Sequence, residues 1–196
     1  VTINAVNDAG VIGWSVPSRS FDEDSSSITL DLNVSNFVTD VDESGADDLS
    51  LSYSVSDGAT LLINPDSDPA LVEGGNYTIT SGGEGQATIT LEGDLATLNL
   101  LAHNISYVPA DNYHGTVDVS ISYNDADNTG SGGAQTSTLS FTDTIDSVND
   151  APIVATSIND QIAIEDIAYS YETSGHFSDA DTDAVLTYTM SGNPTS

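Results

Sequence analysis

The sequence of 196 residues predicts an all-β protein that contains one complete β-sandwich and part of a second. Segments in which apolar and polar residues alternate run through most of the chain, as expected of strands that are buried on one face. Turns rich in glycine, aspartate and asparagine separate these segments at the spacing that a sandwich requires. The chain has no cysteine, so packing or bound ions must supply the stability that disulfides give other domains.

The first predicted domain covers residues 11–150 and follows residues 1–10, which we interpret as the end of a preceding repeat and its linker. Its strands are recognised by alternation: in "LSLSYSVS" the apolar residues occupy every second position, so they share one face. The predicted strands are residues 27–34, 49–56, 76–80, 87–93, 117–124 and 137–145.

Residues 93–104 are the one stretch with helical spacing. Asp94 can cap a short helix there, and three leucines would then share one side of it. We expect this helix to be a plug or crossover rather than a second layer. The following "YVPADNYHG" is typical of a strand end and a tight connection, across which Tyr107 and Tyr113 are expected to pack and hydrogen-bond.

The second predicted unit, residues 151–196, repeats the strand pattern. Its segments "PIVATSI", "DQIAIEDIAYSY" and "AVLTYTM" read as strands, and the acidic "FSDADTD" reads as the loop before the last of them. Three strands bury one face poorly and leave an unpaired edge. We therefore expect this unit to be truncated or to be completed by another chain.

The charge of the chain excludes several classes of partner. It carries 31 acidic residues against one basic residue, Arg19, for a formal net charge of −30. Such a surface repels nucleic acids and anionic lipids, and it attracts cations. The aspartates mostly lie near Asn, Gly, Ser and Thr, in the oxygen-rich turns that suit hard cations such as Ca²⁺.

An enzymatic function and a position within a membrane are not predicted. With no cysteine, no lysine and no serine in an elbow motif, no nucleophile can be matched to a base. Paired carboxylates are common here, but the junction of two sandwiches offers a glycosidase no cleft. The sequence has no apolar run of about 20 residues that could span a bilayer.

Acidic residues recur in two copies of one layout. The phrase Val-Asn-Asp-Ala stands at residues 6–9 and again at residues 148–151. A glutamate follows each copy at the same offset, and an Asp-x-Asp pair follows at a similar one. These residues are Glu23, Asp40 and Asp42 after the first copy, and Glu165, Asp179 and Asp181 after the second. Ca²⁺ needs about 6 to 8 oxygen ligands, so several segments would have to converge on each ion.

This pattern resembles the calcium-binding pattern of cadherin-type domains. More closely, residues 91–133 followed by "VNDAP" resemble the cadherin-like tandem repeats of large bacterial surface adhesins of the RTX type. Residues 160–192 are similar to the start of a dystroglycan-type cadherin-like domain. The resemblance implies a Greek-key sandwich of the cadherin and immunoglobulin class, an extracellular or cell-surface location, and neighbouring repeats of the same chain as partners.

Carried over residue by residue, the resemblance implies two calcium sites within this sequence. Glu165 would serve a further junction. The family's extra acidic motif before a middle strand has no clear counterpart here, and Asp127 stands where close relatives carry glycine. These two departures imply one or two ions per junction rather than three. The ligands at the junction with a preceding repeat would be Asn7, Asp8, Asp40, Asp42 and Asp125. The ligands at the junction between the two units would be Glu23, Asn149, Asp150, Asp179 and Asp181.

The expected function is therefore that of a calcium-stiffened extender that projects a distal ligand-binding region from a cell. Two alternatives remain open. The domain could be a carbohydrate-binding module that grips polysaccharide through exposed aromatics such as Trp14, although residues of this kind are more often part of a core or corner. It could also mediate homotypic adhesion, in which the second unit pairs with another copy of the chain.

Overall fold

The computed structural model consists mainly of β-strands, and it divides into two compact units, Val1–Asp146 and Ser147–Ser196. The two units are described separately below as unit 1 and unit 2. The structure describes residues 2, 4–15, 17–30, 32, 36–43, 45, 48–64, 71–126, 130–189 and 191.

Unit 1 contains eleven strands and one α-helix within its described residues. They are β1 (Val11–Ile12), β2 (Arg19–Asp22), β3 (Ile28–Thr29), β4 (Val38–Thr39), β5 (Leu49–Val55), β6 (Thr60–Ile63), β7 (Tyr77–Gly82), β8 (Thr88–Gly93), α1 (Leu95–Ala102), β9 (Ile105–Val108), β10 (Gly115–Asn124) and β11 (Thr136–Asp146).

Two sheets of unit 1 share one apolar core. The larger has the strand order β2-β11-β10-β5-β8-β7, and the smaller has the order β3-β9-β6. All pairs in them are antiparallel except β2 and β11, which run parallel. Short strands β1 and β4 form a separate antiparallel pair beside the Asp-x-Asp loop. The prediction of an all-β sandwich is confirmed at this level.

The alternation of β5 and β10 accounts for the core. Leu49, Leu51, Tyr53 and Val55 of β5 are buried, whereas the serines between them are partly exposed. Strand β10 follows the same rule, with the apolar residues from Val117 to Tyr123 at 0 % exposure. Burying each such side chain contributes about 1.5–3 kcal/mol to folding, so these central strands carry much of the stability of the sandwich.

The predicted helix is confirmed as α1. The Asp94 carboxylate accepts a hydrogen bond of 2.7 Å from the main-chain N–H of Thr97, which caps the helix as expected. Leu98 and Leu101 are fully buried and Leu95 is packed against the core. The helix therefore closes part of the core between β8 and β9, as a plug does.

The predicted corner after β9 is formed, but only one of its two tyrosines hydrogen-bonds across it. The Tyr113 hydroxyl donates to the carbonyl oxygen of Thr116 at 2.7 Å, which ties the connection to the start of β10. The Tyr107 hydroxyl instead donates to the buried carboxylate of Asp143 on β11, at 2.8 Å. Tyr107 thus links the small sheet to the large one rather than closing the corner itself.

The predicted strand over residues 27–34 is only partly described. Within it, β3 covers Ile28–Thr29, and residues 31 and 33–34 lie outside the described part of the chain. Strands β1, β2, β4 and β6 were not predicted. Each has two to four residues, which is too short for a period of two to be distinguished from chance.

Unit 2 contains much less regular structure than its sequence predicts. Among its described residues, strands are limited to β12 (Ile153–Val154) and β13 (Phe177–Ser178), which pair antiparallel. The prediction of strands over residues 160–171 and 184–189 is wrong for this structure. A strand needs a hydrogen-bonded neighbour, and Ile162 and Val185, at 87 % and 88 % exposure, have no sheet against which to pack.

Candidate metal sites in the two units

The linker at the start of unit 1 is held by the loop between β10 and β11. The main-chain N–H of Asn7 donates to Ser131 O at 3.1 Å, and the N–H of Ser131 donates to Ala5 O at 3.0 Å. Gly130 permits this approach, because a Cβ atom there would lie 2.8 Å from the main-chain nitrogen of Asn7. Its φ of +101° is also one that other residues rarely adopt. Asn7 and Asp8 are therefore fixed on the end of the sandwich.

Asn7 is buried beside the carboxylate of Asp125, which follows β10 directly. Its side-chain Nδ2 donates to Asp125 Oδ2 at 2.9 Å and to Gly133 O at 3.0 Å. Because Nδ2 faces two acceptors, the orientation of the amide is fixed and Oδ1 must point the other way. Asn7 is only 4 % exposed, and its Oδ1 is buried without a hydrogen-bond partner. A buried amide oxygen of this kind can serve as a ligand for a hard cation.

Asp8 is joined to the Asp-x-Asp loop by a short hydrogen-bond relay. Its main-chain N–H donates to Asp42 Oδ2 at 2.7 Å. The main-chain N–H of Asp42 in turn donates to Asp40 Oδ1 at 3.0 Å. These bonds connect a linker residue to the loop that follows β4.

Unit 2 has the same relay at the equivalent residues. The main-chain N–H of Asp150 donates to Asp181 Oδ2 at 2.9 Å, and the N–H of Asp181 donates to Asp179 Oδ1 at 3.1 Å. Carboxylate oxygens of Asp150 and Asp181 lie within 4.8 Å of each other, a separation suited to two ligands of one ion. The strand pairs before the two relays match as well, since β1 pairs with β4 as β12 pairs with β13.

Tyr123 is a further contact of the first relay that the sequence did not indicate. Its hydroxyl donates to Asp40 Oδ2 at 3.2 Å, from a side chain with 0 % exposure on β10. Burial, and then the charge of Asp40, raise the pKa of this phenol well above its usual range. Tyr123 therefore remains a neutral hydrogen-bond donor to the carboxylate.

The carboxylates predicted to form the site in unit 1 are not all close together. Within unit 1, Asp40, Asp42 and Asp125 do not all lie within 4.8 Å of one another. One ion there would take at most two of these carboxylates, together with the Asn7 amide, main-chain oxygens or water.

In unit 2, Asn149 donates its Nδ2 to Asp150 O at 2.8 Å and is exposed. Asp127 lies outside the described residues.

Glu23 lies immediately after β2, and its main-chain N–H donates to Asp146 O at 3.0 Å. Its carboxylate is buried, and Oε2 is 3.7 Å from Nδ1 of His114, which would form an ion pair when protonated. The prediction that Glu23 shares an ion with residues of unit 2 stays a prediction. Glu165 lies in an exposed turn of unit 2.

Arg19 is the only Lys or Arg residue of the protein, and its side chain is largely buried. Arg19 forms a bidentate ion pair with Asp143, through Nε at 2.8 Å and through Nη2, and Asp143 is 0 % exposed. The same guanidinium donates to the carbonyl oxygens of Thr29 and Leu30 at 3.1 and 2.9 Å. It therefore neutralises a buried carboxylate and ties β2 and β11 to β3.

Trp14 packs partly into the domain. Its ring is half-buried and meets Phe141 edge to face, with centroids 5.5 Å apart. It also packs against the main apolar core. Contacts of this kind are typical of a structural tryptophan.

The chain was compared with models of known families, with curated proteins and with solved structures, and none of them matches it significantly. In the part of the chain that the structure describes, no helix is long and apolar enough to cross a membrane. The class of protein is thus defined by the fold and the site alone: an all-β protein with sandwiched sheets and a repeated carboxylate relay that suits a hard cation.

Proposed function

We propose that this chain is a calcium-binding extender repeat of a large exported bacterial surface protein or adhesin, built on a Greek-key, cadherin-like sandwich. In this proposal Ca²⁺ binds where a linker meets the end of a sandwich. The ion neutralises carboxylates that would otherwise repel one another, which stiffens the junction and projects a distal ligand-binding region from the cell.

The repeated relay is the observation that carries the proposal. Asp8, Asp42 and Asp40 in unit 1 are bonded in the same order as Asp150, Asp181 and Asp179 in unit 2. An isolated acidic turn needs no ion, since aspartate commonly bonds to nearby main-chain groups. A linker N–H that donates to a carboxylate of a distant loop, in the same arrangement in both units, indicates a shared requirement that turn formation does not explain.

The buried oxygen of Asn7 supports the same conclusion independently. Leaving a buried polar atom without a partner costs about 1–3 kcal/mol, and a bound cation would remove this cost. The donor set consists entirely of oxygen atoms from carboxylates and an amide, with no cysteine in the chain. That set suits Ca²⁺ and not Zn²⁺, which prefers nitrogen and sulfur.

The net charge of −30 supports an ion-dependent shape. Without bound cations, self-repulsion opposes the compact state and favours separation of neighbouring units. At a Ca²⁺ concentration 100-fold above the Kd, each site would add about 2.7 kcal/mol to stability. That amount is a large part of the 5–15 kcal/mol that a domain of this kind typically has.

The test compares thermal unfolding of the full chain in Ca²⁺, in Mg²⁺ and in EDTA, at matched ionic strength. We expect a higher melting temperature in Ca²⁺ than in EDTA, with a smaller rise in Mg²⁺ because that ion keeps most of its water. Small-angle scattering should show a longer and stiffer particle in Ca²⁺. Identical melting curves in Ca²⁺ and EDTA would show that the proposal is wrong.

A further inference from the structure

The calcium site proposed in unit 1 is connected to the apolar core by one side chain. Tyr123 lies on β10, two residues before Asp125, so both side chains point to the inner face of the sheet. The Tyr123 hydroxyl donates to Asp40 Oδ2 at 3.2 Å, while Asp40 Oδ1 accepts from the main-chain N–H of Asp42. Both oxygens of Asp40 are therefore oriented by donors from different parts of unit 1.

Gly10 leaves the room that this contact requires. A Cβ atom at Gly10 would lie 2.4 Å from Tyr123 Cε1 and 3.1 Å from Asp40 Oδ2. The aromatic ring is held in place by the surrounding core and cannot retreat without disturbing it. Residue 10 is thus restricted to glycine by the phenol that reaches Asp40, and not by a left-handed backbone.

We infer that Tyr123 is a positioning residue for calcium at this site, an inference that rests on the proposed function. Each carboxylate oxygen has two lone pairs, so Asp40 Oδ2 can accept the phenol and still bind an ion. The phenol fixes the Asp40 carboxylate before the ion arrives, which lowers the conformational entropy that binding would cost. The contact also makes the core sensitive to the ion. When calcium binds Asp40, the negative charge beside the Tyr123 hydroxyl is partly neutralised, so the electrostatic environment of the buried ring changes.

Tyr123→Phe removes only the hydroxyl, and Tyr53→Phe provides a matched control. Tyr53 is a neighbouring core tyrosine on β5 with 1 % exposure, and its hydroxyl has no hydrogen-bond partner. Calorimetric titration of the full chain with Ca²⁺ should show an affinity about tenfold weaker for the unit 1 site in Tyr123→Phe, since hydrogen bonds to charged groups are the stronger ones. Tyr53→Phe should bind as the wild type does, and so should the unit 2 site in both variants.

A spectroscopic measurement separates positioning from a general structural role. Adding Ca²⁺ to the wild-type chain should change the near-ultraviolet difference absorption of tyrosine. The change should persist in Tyr53→Phe and disappear in Tyr123→Phe. If the Tyr123 hydroxyl only stabilised the fold, Tyr123→Phe would melt at a lower temperature in EDTA but would not show this pattern of absorption changes.

The outcomes distinguish this inference from the proposed function. If the wild-type chain binds no Ca²⁺ at all, the proposed function fails. If the wild type binds Ca²⁺ and Tyr123→Phe binds it equally well, the positioning role is overturned and the proposed function stands. If Tyr123→Phe does not fold, the wild type alone decides: calorimetric binding without any tyrosine signal would overturn the inference.

Discussion

The main-chain N–H of Asp8 donates a hydrogen bond of 2.7 Å to Asp42 Oδ2, across 34 positions of sequence. The bond joins the linker at the start of unit 1 to the loop after β4. Because its counterpart in unit 2 joins Asp150 to Asp181, the position of each linker depends on the second aspartate of an Asp-x-Asp pair.

Asp42→Asn should have opposite effects in the presence and absence of calcium. The amide can still accept the N–H of Asp8, and removing one negative charge reduces repulsion within the cluster, so the melting temperature in EDTA should be equal or higher. In Ca²⁺ the variant should lose most of the stabilisation that the unit 1 site provides, about 2.7 kcal/mol at 100-fold excess of ion.

Asp118→Asn is the control for that variant. Asp118 is exposed on β10 and accepts a hydrogen bond of 2.6 Å from the Thr142 hydroxyl, so the substitution removes the same charge away from the relay. Its calcium-dependent stabilisation should equal that of the wild type. An equal loss in both variants would mean that net charge, and not a defined site, governs the response to calcium.

Removing Arg19 should be far more costly than removing an exposed charge. Arg19→Met leaves Asp143, at 0 % exposure, as an unpaired buried carboxylate beside the Tyr107 hydroxyl. Breaking a buried pair on one side costs about 3–5 kcal/mol. Chemical denaturation at neutral pH should show this loss as a lower midpoint with an unchanged slope.

A double-mutant cycle tests whether the pair acts as a unit. Arg19→Met combined with Asp143→Leu removes both charges, and apolar replacements of buried pairs are often close to neutral. The double variant should therefore be more stable than either single variant. Losses that simply add would contradict the assignment of Arg19 to Asp143.

Gly130→Ala should release the linker from the loop between β10 and β11. An added Cβ would meet the main-chain nitrogen of Asn7 at 2.8 Å, and the φ of +101° disfavours any side chain. Hydrogen exchange of the Asn7 and Ser131 amides, which form the two bonds to the linker, should accelerate strongly. The control is Gly74→Ala, which lies before β7 and not in the loop that holds the linker; its φ of +73° carries the same kind of backbone strain, but no atom lies within 4 Å of its Cβ.

The features that could be predicted from sequence are those with a local signal. The alternation in β5 and β10 and the Asp94 cap lie within single segments, and the structure contains them. The relay residues could be named because their layout occurs twice. Arg19 and Asp143 could not be paired in advance, because they are 124 positions apart and meet only through the parallel register of β2 with β11.

Tyr123 and unit 2 illustrate two other limits of sequence reasoning. Tyr123 reads as one more apolar member of β10, and only the fold shows that its hydroxyl reaches Asp40. In unit 2 the alternating segments have the composition of strands, yet Ile162 and Ile164 are exposed and form no ladder. Alternation shows that a segment can be half-buried, whereas a neighbouring strand decides whether it is.

Alkaline unfolding should be governed by buried tyrosines. Burial raises the pKa of Tyr53, Tyr107 and Tyr123 above the ordinary value of 10.0, and Asp143 and Asp40 add to the rise for Tyr107 and Tyr123. Below pH 10 these phenols are neutral in both the folded and the unfolded chain, so they do not alter stability there. Above pH 10 the unfolded chain loses their protons while the folded chain keeps them, so stability must fall.

The expected loss is about 1.4 kcal/mol per pH unit for each buried tyrosine. The chain has eight tyrosines and no lysine or cysteine to titrate in the same range, so the part of the phenolate absorbance that rises together with the loss of circular dichroism reports the buried tyrosines. Phenolate should form cooperatively with unfolding, and Tyr53→Phe should reduce the pH slope of stability by the share of one tyrosine. Gradual ionisation of these tyrosines with the circular dichroism unchanged would show that they are accessible in the folded protein, contrary to their burial.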